Sequence, residues 1–95
     1  MIERHVTFKV YPDRKSEFVK LFVEEYRPAM SGMPGFGGAE LLSDPNHPDQ
    51  YQMVIRFQSS QAAASWRSSA AHAALQPKIQ PFYSLSELQV FEVVA

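Results

Sequence analysis

The chain has 95 residues, enough for one domain spanning 1–95 whose core is thin and would gain from burial by a partner subunit. Its apolar content of 45% and aromatic content of 13% fit a folded chain and argue against disorder. Nine basic side chains against ten acidic ones, with no basic run, argue against nucleic acid; no apolar stretch approaches bilayer length; no cysteine is present, which excludes disulfides, thiolate metal sites and cysteine nucleophiles.

The opening residues, MIERHVTF, show neither the apolar core nor the cleavage site of a signal peptide, so a cytoplasmic address is expected. Ile2 to Val10 alternates as a strand. Ile2, Val6, Phe8 and Val10 share an apolar face with Arg4 as the odd member, and Glu3, His5, Thr7 and Lys9 share the other. Tyr11-Pro12-Asp13 ends it, with Asp13 as the expected N-cap of a helix. From Arg14 to Met30 the period becomes 3.6, with Phe18, Phe22, Tyr26 and Met30 on one stripe and Pro28 expected to bend the last turn. Ser31 to Gly35 is a turn-rich stop. A second strand is predicted over Phe36 to Ser43, then a long loop over Asp44 to Asp49. A third strand starts near Gln50, with Tyr51, Met53, Ile55 and Phe57 on one face and Gln52, Val54 and Arg56 on the other.

Gln61 to Pro77 is the most informative segment. It is alanine-rich and carries the only tryptophan. Ser59 or Ser60 caps a helix to about Arg67, and Ser69 caps a continuation through Leu75. Residues six apart on one helix fall on different faces, so the Ser68-Ser69 break is what would let Trp66 and His72 converge. The last strand is predicted over Leu88 to Val94 and is apolar on both faces. The order βαββαβ gives an α+β, ferredoxin-like domain: a four-stranded antiparallel sheet with helices on one face. The chain has no spare helix for the other face, so a second copy is the expected cover, giving a homodimer paired sheet to sheet.

Several side chains have two readings. His72 titrates near neutrality and can abstract a proton from a phenol or an acidic carbon, or it is a helix-start histidine satisfied by backbone or water. Trp66 is a flat wall for an aromatic ligand, a core anchor, or both. Arg4, on an apolar face, must be paired or solvated; it stabilises a phenolate or enolate, or it joins a salt bridge. Arg56 invites the same two readings. Tyr26 and Tyr51 supply hydroxyls to a cavity, or sit in the core with their OH at its edge. His5 reads as interface or solvent, and His47 as an exposed loop residue. The three histidines have no metal-binding spacing, and no nucleophile elbow, dinucleotide fingerprint or phosphate loop is present.

The Met33-Pro34-Gly35-Phe36 turn, the Glu40-Leu41-Leu42 strand, Tyr51…Arg56-Phe57, and the phrase Ser60-Gln61-Ala62-Ala63…Trp66…Ser69…His72 together resemble the antibiotic biosynthesis monooxygenase domain of the dimeric α+β barrel superfamily. The resemblance covers nearly the whole chain, through diffuse motifs. It implies a dimer closed into a barrel, with His72 facing a cavity. Members of that family include cofactor-free monooxygenases that turn phenols or quinols into quinones, haem degraders, and an isomerase of a small diketone. The haem branch pairs a first-strand Asn with a Trp and a downstream His. Here Arg4 stands nearest that Asn position, and His72 lies closer to the Trp. The expected function is therefore cofactor-independent oxidation of a small phenolic or quinol-type aromatic by dioxygen. His72 and Arg4 would be catalytic, and Trp66, Tyr26, Tyr51 and Arg56 would bind substrate, with no metal and no cofactor. A non-catalytic small-molecule-binding module and a haem-degrading enzyme are the alternatives.

Overall fold

A computed structural model describes all residues, 1–95. Strands β1 (Ile2–Val10), β2 (Phe36–Asp44), β3 (His47–Phe57) and β4 (Tyr83–Glu92) form one antiparallel sheet in the order β2-β3-β1-β4. Helices α1 (Lys15–Leu21) and α2 (Arg27–Ser31), joined by a π-helical turn (Phe22–Tyr26), follow β1; α3 (Ser60–Arg67) and α4 (Ala70–Ile79) follow β3. The fold is the expected α+β, ferredoxin-like arrangement.

Alternation decides what each strand offers the helices. Central β1 sets Arg4 opposite Ile55 of β3 and Val90 of β4, and Phe8 opposite Tyr51. The core between sheet and helices centres on Phe18, Phe22, Met30, Met53, Phe57 and Trp66, each essentially without solvent exposure. Arg4 is the one charged residue among the buried ones.

Local structure departs from expectation at four points. Asp13 does not cap: it lies in a 3-10 turn (Pro12–Arg14), and α1 starts after Arg14 without a side-chain cap. Pro28 is preceded by the π turn, closed by the Arg27 N–H on the Phe22 carbonyl. Proline has no N–H to give and its ring crowds the carbonyl four residues back, and a widened turn relieves both. That turn carries Tyr26.

The β2–β3 connection is short, not a long loop. Asp44 pairs with His47 across Pro45-Asn46. The Asp44 carboxylate accepts the Asn46 N–H at 2.9 Å and meets the His47 ring at 2.8 Å, closing an Asx turn. Pro48 is tolerated because the β1 pairing ends at Gln50, where no N–H of Pro48 is required. Strand β4 starts earlier than predicted and ends at Glu92, opposite Ile2. Ser84 and Ser86 hide its start in the sequence, but β1 offers a full-length partner.

Gly35 has φ +82°, and a Cβ there would come within 2.8 Å of the Ala62 Cβ. Its carbonyl accepts the Gln58 N–H at 2.8 Å, fixing the entry to β2 beside the end of β3. Gly35→Ala combines left-handed strain of about 1–2 kcal/mol with overpacking against α3, so the urea midpoint is expected to fall. An unchanged midpoint would mean this turn re-forms without cost.

Candidate active site

Two serines build the site from the backbone up. Ser59 Oγ accepts the Ala62 N–H at 3.1 Å and starts α3. Ser69 Oγ donates to the Trp66 carbonyl at 2.7 Å and accepts the His72 N–H at 3.1 Å. One hydroxyl thus closes the end of α3 and opens α4. The chain turns there, and the Trp66 and His72 rings meet edge to face with centroids 5.2 Å apart. Tyr26, from the π turn, completes an aromatic corner, 5.6 Å from Trp66 and 6.5 Å from His72. Helix α4 runs beyond Leu75 and through Pro77 to Ile79. Leu75 and Ile79 anchor it in the core, and exposed Pro77 leaves its unmatched carbonyl partner on the solvent side.

This corner walls a cavity of about 220 Å³ between sheet and helices. Its polar and aromatic members include Arg4, Tyr26, Trp66, Arg67, His72 and Gln76, with Phe8, Tyr83 and Ser86 beside them, and Val6, Ile55, Ile79 and Leu88 supply apolar surface. A cavity of about 150 Å³ accepts benzene. The space here suits one or two rings.

The electrostatics are those of a cationic pocket. Arg4 is 9% exposed, and no carboxylate lies within ion-pair distance of it. Burial, then the charge of Arg67, pull its guanidinium below its usual value, yet arginine stays cationic in proteins. Burial, then the charges of Arg4 and Arg67, hold His72 below its ordinary 6.5, so its ring is neutral at neutral pH. Burial pushes the Tyr26 phenol up to about 12, against the opposing pull of Arg4, and it remains an O–H donor.

Gln76, unremarked in the sequence, holds the His72 ring: the two side-chain Nε2 atoms are 3.1 Å apart. Either amide orientation satisfies this contact. With the amide carbonyl turned to the ring, Nε2–H donates to it and Nδ1 keeps a free lone pair. The signal that could have found Gln76 is its spacing, four residues after His72 on one helix face. Arg67 was also missed, because it follows Trp66 directly and reaches the cavity only through the turn at Ser68-Ser69.

The structure brings together His72, Arg4, Trp66 and Tyr26. Tyr51 and Arg56, expected to bind substrate, lie outside this cavity. Tyr51 shares the helix-side face but sits toward the far end of β1, opposite Phe8 and tilted against Phe18 at 5.5 Å. Arg56 is on the opposite face of the sheet, donating to Glu3 at 2.9 Å and to Glu40 at 3.1 Å. The same face carries His5 between Glu3, at 2.6 Å, and Gln52, at 3.0 Å. No three His, Cys, Asp or Glu side chains gather as a metal-holding cluster, and no helix is long and apolar enough to cross a membrane.

The family model for antibiotic biosynthesis monooxygenase matches residues 1–78, most of the chain and all of the cavity's helical wall up to α4. The chain belongs to the antibiotic biosynthesis monooxygenase family. Solved structures of similar fold agree. A candidate antibiotic biosynthesis monooxygenase from Caulobacter crescentus superposes with a TM-score of 0.89 at 19% identity, over 99% of this chain and 90% of that one. Another from Nitrosomonas europaea gives 0.87 at 12% identity, over the full length of both chains. The N63A mutant of SnoaB from Streptomyces nogalater, a cofactor-independent oxygenase, gives 0.86 at 16% identity, over 97% of this chain and 91% of that one. At such identities the likeness shows the fold alone. No curated protein matches the chain. Membership of the monooxygenase family supports that chemistry at family level and names no substrate.

Proposed function

We propose that this chain is a cofactor-independent monooxygenase that oxidises a small phenolic or quinol-type aromatic to a quinone. The observation that carries the reading is the convergence of a neutral imidazole, an unpaired buried guanidinium and an indole wall on one ring-sized cavity. His72 takes the phenolic proton, Arg4 holds the phenolate, and Trp66 and Tyr26 orient the ring. The phenolate gives its electrons to dioxygen, and a C–O bond forms at the ring carbon para to the phenolate oxygen. The proton held by His72 completes a hydroperoxide. Loss of the remaining C–H proton from that carbon breaks the O–O bond and releases water, leaving a second carbonyl. One phenol and one dioxygen give one quinone and one water. The protein's part is positioning and charge stabilisation.

Oxygen uptake with simple phenols and other phenolic rings that carry a hydrogen para to the hydroxyl tests this. Labelled dioxygen is expected to leave one atom in the quinone and the other in water. Saturable binding with no oxygen consumed favours the non-catalytic module instead.

We place this activity in a cytoplasmic homodimer paired through the open faces of the sheets. Leu42, Leu85 and Phe91 lie exposed on that face, beside the Glu3–Arg56–Glu40 ion pairs. Burying such a surface stabilises a domain whose own core is thin. Sedimentation equilibrium is expected to give twice the 10.8 kDa chain mass; the single-chain mass at micromolar concentration would overturn the pairing.

A further inference from the structure

Two arginines and no carboxylate line the cavity. Away from the cavity, Arg14 pairs with Glu17, Lys15 with Asp49, Arg56 with Glu3 and Glu40, and Lys78 with Glu25; Arg27 lies over the Phe22 ring, and Lys9 and Lys20 are exposed and unpaired, outside this cavity. Arg4 and Arg67 take part in no ion pair, although the chain has 10 acidic residues to offer. The two sit at different depths. Arg4 is buried on β1, and Arg67 is exposed at the end of α3, on the cavity's rim. A phenol that loses its proton inside supplies one negative charge, which Arg4 answers. The second cation is left without a role in that step.

We propose that the ligand of this cavity is an aromatic hydroxy acid, with its carboxylate bound by Arg67 at the rim and its phenolic oxygen directed inward to Arg4 and His72. The inference rests on the proposed oxidation for the inner half and on the uncompensated rim charge for the outer half. The planar guanidinium of Arg67 matches a carboxylate in fork geometry, which an ammonium does not. The ligand enters as a monoanion, drawn by a pocket of net positive charge. It becomes a dianion when His72 takes the phenolic proton, and each of its charges then has one arginine. About 220 Å³ fits a single ring bearing these two substituents. Arg67 is thereby a specificity-determining residue, and the neutral surroundings of Ile55, Ile79 and Leu88 hold the ring between the two cations.

Binding can be read without turnover, because Trp66 is the only tryptophan and lines the cavity. The experiment titrates 3-hydroxybenzoate and 3-hydroxybenzamide, whose ring carbon para to the hydroxyl bears a hydrogen, without oxygen, against the tryptophan fluorescence of the wild-type chain, Arg67→Gln and Arg67→Lys. Arg67 is exposed, so both variants are expected to fold, and circular dichroism checks it. The acid is expected to bind at least about fivefold more tightly than the amide in the wild-type chain, the scale of a charge-assisted hydrogen bond. Arg67→Gln is expected to remove most of that preference, and Arg67→Lys to restore part of it. Equal affinity for acid and amide, or a preference that survives Arg67→Gln, overturns the proposal. A carboxylate preference without oxygen uptake upholds this inference and removes the monooxygenase reading. Oxidation of neutral phenols with no carboxylate preference does the reverse.

Discussion

His72→Ala is expected to lower the oxygen-uptake rate by about 10²–10⁴ while leaving the fold in place, the range for loss of a positioned general base. The fold survives because the helix-start bond uses the backbone: the His72 N–H reaches Ser69 Oγ at 3.1 Å whatever side chain follows. The ring is half-buried, so its removal opens the cavity rather than the core. A pH profile adds an independent check. The base works unprotonated, so kcat/KM, which reports the free enzyme, is lost as pH falls through its pKa. Burial, Arg4 and Arg67 lower that pKa from 6.5, so the plateau is expected to extend below pH 6.5 before the rate declines. Arg67→Gln removes one of those causes and is expected to move the acid limb upward. An unchanged rate in His72→Ala, or a limb above pH 6.5 in the wild-type chain, sinks the assignment of His72 as base.

Trp66→Ala should be the most destabilising single change near the site. The indole is 1% exposed and belongs to the main core cluster, with Tyr26 and His72 at its edges. Truncating a buried tryptophan to alanine costs about 3–5 kcal/mol, because packing is lost and a void remains. A small domain commands only about 5–15 kcal/mol in total. For a chain of this size the melting temperature is expected to fall by about 12–40 °C. Trp66→Phe keeps a ring against Tyr26 and should lose much less. A Trp66→Ala melting temperature within a few degrees of wild type would mean that the indole is a free cavity wall and not a core anchor. Trp66 does both: one side packs in the core, and the cavity takes the other.

The strands and most of the helices are legible in the sequence because their burial patterns are periodic. Ile2 to Val10 alternates cleanly, and its register against β3 and β4 keeps Arg4 on the helix side. Ser69 was readable as a cap, and it caps α4. Where local chemistry competes with period, reading fails. The Asp44 carboxylate closes a tight turn inside what reads as a long loop, and the serines of β4 mask a strand that β1 completes. The π turn before Pro28 has no periodic signature at all.

The candidate site divides along the same line. Trp66 and His72 stand out as rare residue types, and Arg4 as a charge on an apolar face, so composition and alternation are enough to single them out. Tyr51, singled out for its hydroxyl, and Arg56, singled out for its place across from the first strand, lie elsewhere, one toward the far end of β1 and one on the opposite face of the sheet. Gln76 and Arg67 gave no such signal and line the cavity. The order of elements and the face each strand turns to the helices are written in side-chain period and local caps, and the family in motifs scattered from Met33 to His72. Which polar groups share one cavity is visible only in the folded chain, because that depends on the angle between α3 and α4 and on the depth of each residue along its strand. Neither quantity is written in any local run of residues.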